Sequence, residues 1–235
     1  MQLWVLVRTL FVLAAASFAI SAGAAQCAAR SGPHTAALVE LYASEGCARC
    51  PAAEHWLSRI APRPNVLAVA IPVDEPGSRR EATVRRRKLT HLQRLALVST
   101  PQVLLQGREF RDWAAPASDD TLARIAAQAA VAWLALEIIS TDQEQLRVRV
   151  AAATASGRGA AARLYLAAFG RDAVQAPLRV RQWQGPLELP GPGASLERVL
   201  PVPSGASGPL AGVVGFIESR RDSEVLQALM LPSCP

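Results

Sequence analysis

A compact apolar run, AALVELY at Ala36 to Tyr42, leads within five residues into a Cys-x-x-Cys pair, Cys47 and Cys50, followed at once by Pro51. The run suits a buried strand. ASEGCARC reads as a turn, and a helix is expected from about Cys47 to Ile60. Pro51 falls in its first turn, where a missing N–H costs little. Ala53, Trp56, Leu57 and Ile60 share one apolar face of that helix, so Trp56 reads as core. Two sulfurs at a helix start leave three readings open: a redox pair, half of a metal site, or a structural bridge.

The order of elements narrows the choice. VLAVAIPV (Val66 to Val73) is a second buried strand, and DEPGS is a loop. A basic helix follows, with Val84, Leu92, Leu95 and Ala96 expected to face inward. A strand over about Gln102 to Leu105, a Gln-Gly turn and a short partner strand come next, then a helix capped at Ser118 or Asp119. Strands separated by helices imply parallel pairing through crossovers, closed by an antiparallel edge. Past about residue 131 the texture changes. LRVRV, ARLYLAAF, PLRVRQW, LERVLPV and AGVVGFIES are short apolar segments set apart by Gly, Pro and Ser, an antiparallel β pattern with TASGRGAA and LPGPGAS as hairpin loops.

Export fits the N-terminus. Met1 to Arg8 is short and carries one positive charge, TLFVLAAASFAI is apolar, and SAGAAQ offers small residues for cleavage, so residues 1–25 read as a signal peptide. Gln26 before Cys27 argues against a lipid anchor there. No 20-residue apolar run occurs after residue 30, so no stable membrane insertion is expected after cleavage. The expected location is periplasmic or secreted, where disulfides persist. The four cysteines, Cys27, Cys47, Cys50 and Cys234, allow three pairings; the most local one leaves Cys27 with Cys234 as a structural disulfide candidate.

The formal charge of +6 is concentrated in RREATVRRRKLTHLQR, where seven of sixteen residues are basic. This reads as a solvated helix face. No aromatic side chain interleaves with the charges for base stacking, so no nucleic-acid partner is expected. A structural zinc needs four ligands, and one Cys-x-x-Cys with His34, His55 and His91 does not supply an evident set. A two-thiolate copper site using Cys47, Cys50 and His55 is an alternative; neither a metal nor another cofactor is expected for the favoured reading.

Thr100-Pro101 stands immediately before the predicted strand at Gln102, and in the thioredoxin fold a proline at this topological point is cis and lies beside the Cys-x-x-Cys. Residues 36 to 130 therefore resemble a thioredoxin-like domain. VELYASEGCARCPAAEHWL, LAVAIPVD and TPQVLLQG further resemble the secreted thioredoxin-like proteins of the domain-of-unknown-function family 1223. The chain departs from that pattern in DEPGSRREA, which replaces an aromatic run after Asp74, in Ala52 and Glu54, and in lacking a clear Gly-Glu-Asn segment. The resemblance implies an α/β chain: a thioredoxin-like fold over 26–130 with an appended antiparallel β-rich C-terminal region over 131–235. It implies thiol–disulfide exchange with protein thiols or disulfides as partners. Cys47 is then the nucleophile, favoured as thiolate by the positive helix end and by Arg49, with Glu45 opposing; Cys50 resolves. Thr100 and Pro101 shape the docking surface. A non-catalytic binding module with a structural 47–50 bridge is the other alternative.

Overall fold

The computed structural model describes residues 27–93, 99–142, 144–155, 162–170, 177–190, 194–201 and 210–234. The expected signal segment and the inward positions Leu95 and Ala96 lie outside them, as do large parts of the TASGRGAA and LPGPGAS loops. The architecture is two β-sheets with few helices. In chain order the elements are β1 (Ala28–Arg30), β2 (Ala37–Ala43), α1 (Cys50–Ile60), β3 (Val66–Pro72), α2 (Pro76–Leu92), β4 (Gln102–Leu105), β5 (Arg108–Glu109) and α3 (Ser118–Ala126). Seven strands follow: β6 (Ala132–Thr141), β7 (Gln145–Thr154), β8 (Ala162–Gly170), β9 (Leu178–Glu188), β10 (Leu196–Pro201), β11 (Leu210–Ser219) and β12 (Val225–Pro232).

One sheet runs β12-β11-β8-β9-β3-β2-β4-β5 and the other β1-β6-β7-β10. The larger sheet therefore continues across both halves of the chain: β9 pairs in parallel with β3, Val69 opposite Leu178. β2 pairs in parallel with β3, but β4 runs antiparallel to β2, with Tyr42 opposite Gln102. The uniform parallel expectation fails at β4 because the middle of α2, at Arg86, already sits at the start of that strand, bonded to Ser99 and Gln102. The crossover does not carry the chain back to the far end of the sheet. α2 also begins at Pro76, inside the segment expected as loop.

Period-two alternation sorts the core. On β2, Ala37, Val39 and Leu41 pack against α1 and α3, while Leu38 and Tyr42 face the α2 side. The α1 side chains Ala53, Trp56, Leu57 and Ile60 are all buried, and Trp56 lies 5.5 Å from Trp113, ring to ring. The four-stranded sheet packs Leu134, Leu136, Val148 and Val150 against Leu164, Leu166, Val213 and Ile217 of β8 and β11.

Glu40 falls between Leu38 and Tyr42 on the α2 side and is fully buried, as is Glu218 on β11. Arg85 of α2 satisfies both. It grips Glu40 through two bonds of 2.9 and 2.8 Å and donates to Glu218 through Nη1. Its guanidinium also lies 5.0 Å from the ring centre of Tyr165 and 4.8 Å from that of Phe216. The Tyr42 hydroxyl donates to Glu40 at 2.8 Å; burial and then the Glu40 carboxylate push this phenol well above its ordinary range, so it stays a neutral donor. The solvated-face reading of the basic stretch holds for Arg80 and Arg87, which are exposed, and fails for Arg85 and Arg86. Arg85, Arg86, Leu89 and Thr90 face inward, while the expected inward residues Val84 and Leu92 are 60% and 49% exposed.

Lys88 donates to the second Glu218 oxygen at 2.7 Å. Its partial burial, with Arg163 and Arg85 close by, pulls its ammonium down to about 8. The unfolded value is about 10.4, so protonated Lys88 costs the folded state stability below pH 8, and the cost fades as pH rises through about 10.4. Discounted for exposure, the gain across that window is about 1 kcal/mol. Urea midpoints between pH 8 and 10 should rise in the wild type relative to Lys88→Met; parallel curves would refute this assignment.

Candidate redox site

The site forms where β2 ends and α1 begins. Ser44, Glu45 and Gly46 turn the chain, and Gly46 has φ of +70°, a conformation that glycine adopts without steric cost. The backbone N–H of Cys47 donates to Ser44 O, and that of Cys50 to Cys47 O at 3.1 Å. Cys47 and Cys50 form a disulfide with Cα atoms 5.4 Å apart. The helix proper begins at Cys50 rather than Cys47, with Arg49 as N-cap and Pro51 in the first turn. Cys50 is 4% exposed, whereas Cys47 is half-buried and Arg49 exposed.

The turn is held from two sides. The Ser44 and Thr100 hydroxyls share a 2.7 Å hydrogen bond, and the Glu45 backbone N–H donates to Asp74 Oδ2 at 2.6 Å. The first bond brings the Thr100–Pro101 segment, whose peptide is cis, to the disulfide turn. A shallow cleft of about 420 Å³ is lined by Ser44, Gly46, Cys47, Cys50, Pro51 and Glu54. From the C-terminal half, Arg179 on β9 reaches this rim, 3.4 Å from Glu54 and 3.3 Å from Glu75, and Arg181 lies 3.5 Å from Glu75.

Cys47, Arg49 and Cys50 thus share one turn, and Thr100 joins it through Ser44, with Pro101 next along the chain. His55 does not join them. It is exposed, and five residues beyond Cys50 it points roughly 140° around the helix. His34 is exposed in an isolated bridge to Ala129, and His91 is exposed on α2. Among the described residues no group of three or more His, Cys, Asp or Glu side chains could hold a metal ion. Cys27 and Cys234 form the second disulfide, with Cα atoms 5.7 Å apart. Sequence reasoning missed Ser44, Glu54 and Arg179 at the cleft. Ser44 and Glu54 flank the motif and were within reach; Arg179 is 125 residues from Glu54, and no local signal joins them.

The family model described as a protein of unknown function, DUF1223, matches residues 38–179, which spans the disulfide turn, the Thr100–Pro101 segment and the start of β9. The chain belongs to the DUF1223 family. No curated protein matches it. Among solved structures, this DUF1223 protein is similar to HBP35 of Porphyromonas gingivalis, with a TM-score of 0.61 and 12% identity over 85% of this chain and 76% of that one. It is also similar to a structural-genomics target from Agrobacterium tumefaciens, with a TM-score of 0.53 and 18% identity over 86% of this chain and 96% of that one. At these identities the likeness is one of fold alone. Among the described residues no helix is long and apolar enough to cross a membrane, and the two disulfides of the DUF1223 chain fit an extracellular location.

Proposed function

We propose that this DUF1223 protein is an exported, thioredoxin-like thiol–disulfide exchange protein acting through Cys47 and Cys50. The element order β2–α1–β3–α2–β4–β5–α3, with spatial order β3-β2-β4-β5, supports the thioredoxin-like reading. The observation that carries the chemistry is the asymmetry within one bridge: both cysteines line an open cleft, but Cys47 is part-exposed there and Cys50 is nearly buried. Exchange depends on which sulfur an incoming thiolate can reach.

A substrate thiolate attacks Cys47 Sγ. A bond forms between the substrate sulfur and Cys47, the Cys47–Cys50 bond breaks, and Cys50 departs as a thiolate that takes a proton from water. A second thiolate of the same substrate then attacks the substrate sulfur of the mixed disulfide and releases Cys47. The dithiol substrate becomes a disulfide, and the protein takes up two electrons. The same steps in reverse reduce a substrate disulfide. The N-terminal end of α1 lies beside both departing sulfurs, where unpaired N–H groups favour negative charge.

In Cys50→Ser, Cys47 is a free thiol that attacks disulfide-bonded proteins of the extracellular compartment, and the mixed disulfides accumulate because the resolving Cys50 sulfur is missing. Non-reducing gels with mass spectrometry should find them, and Cys47→Ser should form none. The pair should equilibrate with glutathione; a potential below roughly −300 mV would mark a structural bridge instead and overturn the proposal.

A further inference from the structure

Resting on the exchange reading, we propose that Arg86 is a positioning residue of the redox site, one that holds the Thr100–Pro101 loop against the disulfide turn. Arg86 sits on the inner face of α2 and is 8% exposed. Its Nε donates to Gln102 Oε1 at 2.6 Å, and its Nη2 donates to the Ser99 carbonyl. These two acceptors are the residues on either side of Thr100–Pro101. One planar guanidinium therefore ties both ends of the segment to a single point on the helix, which the fixed fork of an arginine does and an ammonium does not. Its face also lies 5.8 Å from the ring centre of Tyr42, the cross-strand partner of Gln102.

The neighbouring side chains sharpen the inference. Arg85 takes the buried carboxylates of Glu40 and Glu218, whereas these two hydrogen bonds of Arg86 go to a neutral amide and a neutral carbonyl. Burying a cation on neutral acceptors is costly, and a helix position packed on a sheet is filled more stably by an apolar side chain. What the guanidinium supplies is the location of a loop. From the loop the linkage continues: Thr100 Oγ1 meets Ser44 Oγ at 2.7 Å, and Ser44 lines the same cleft as Cys47 and Cys50. Exchange requires the incoming sulfur to approach along the Cys47–Cys50 axis. A loop tied to a residue of the cleft lining forms part of the surface on which a partner chain docks, so loosening it weakens docking more than it slows the bond exchange itself.

The test is single-turnover oxidation of a fluorogenic dithiol peptide by the oxidised full-length protein. Arg86→Lys keeps the charge and loses the two-ended grip. Its half-saturating peptide concentration should rise about tenfold while the plateau rate stays within about threefold. A merely structural role would lower the folded fraction, and with it the plateau amplitude, without moving the half-saturation point. Gln102→Met removes one of the two acceptors at similar volume; it should show the same direction of change, and it decides the question if Arg86→Lys does not fold. Saturation curves that superimpose on an active wild type overturn the role of Arg86 alone. A wild type that oxidises no peptide overturns the exchange reading and this inference with it.

Discussion

Arg85→Met should lower the free energy of unfolding by about 3–5 kcal/mol, the cost of removing one member of a buried charged cluster and leaving the others unpaired. Glu40 and Glu218 have no exposed side-chain surface, and Arg85 lies between them. Methionine fills the space and leaves two desolvated carboxylates facing a pocket of Tyr165 and Phe216. Lys88 still reaches Glu218, so Glu40 bears most of the loss, with the Tyr42 hydroxyl as its remaining donor among the described residues. In a domain of this size the melting temperature should fall by about 10 °C. Adding Glu40→Gln should recover part of the loss, a coupling that a double-mutant cycle in urea measures. Additive effects of the two substitutions would mean that the cluster is not the unit described.

The second large effect concerns the other disulfide. Cys27 precedes β1, an edge of the smaller sheet, and Cys234 follows β12, an edge of the larger one. The bridge spans a sequence separation of 207 residues. On the chain-entropy argument, closing so long a loop destabilises the unfolded ensemble by about 5 kcal/mol, against about 2 for the Cys47–Cys50 bridge with its separation of 3. Cys27→Ser with Cys234→Ser should therefore shift the urea midpoint far more than Cys47→Ser with Cys50→Ser. Equal shifts would show that the terminal bridge does not constrain the unfolded chain.

What could be read in advance follows the range of the interactions. The α1 face of Ala53, Trp56, Leu57 and Ile60 and the span Gln102–Leu105 were legible because periodicity and turn residues are local signals. The orientation of α2 was not. Apolar periodicity points Val84 and Leu92 inward, but the deciding partners are carboxylates 45 and 133 residues from Arg85. Charge complementarity across such separations leaves no period in the sequence. The direction of β4 was hidden for a related reason, since it depends on where α2 lies over the sheet. At the site, the cysteine pair and the Thr-Pro dipeptide announce themselves by spacing and order. The side chains that hold the loops, Ser44, Asp74 and Arg86, do so by hydrogen bonds between elements, and Arg86 was masked by the neighbouring cations of the basic run.

β9 inserts beside β3 although roughly a hundred residues separate the end of one from the start of the other. Emerging N-terminus first, the chain presents β2, β3, β4 and β5 before β9, with the flank of β3 still bare. Until β9 arrives, that flank presents unpaired amides and carbonyls beside Leu67, Val69 and Ile71, a template for any other extended chain. The emerging protein is thus open to mispairing from the appearance of β3 until β9 joins it, and the strand that ends this exposure is the one that brings Arg179 to the rim of the disulfide cleft.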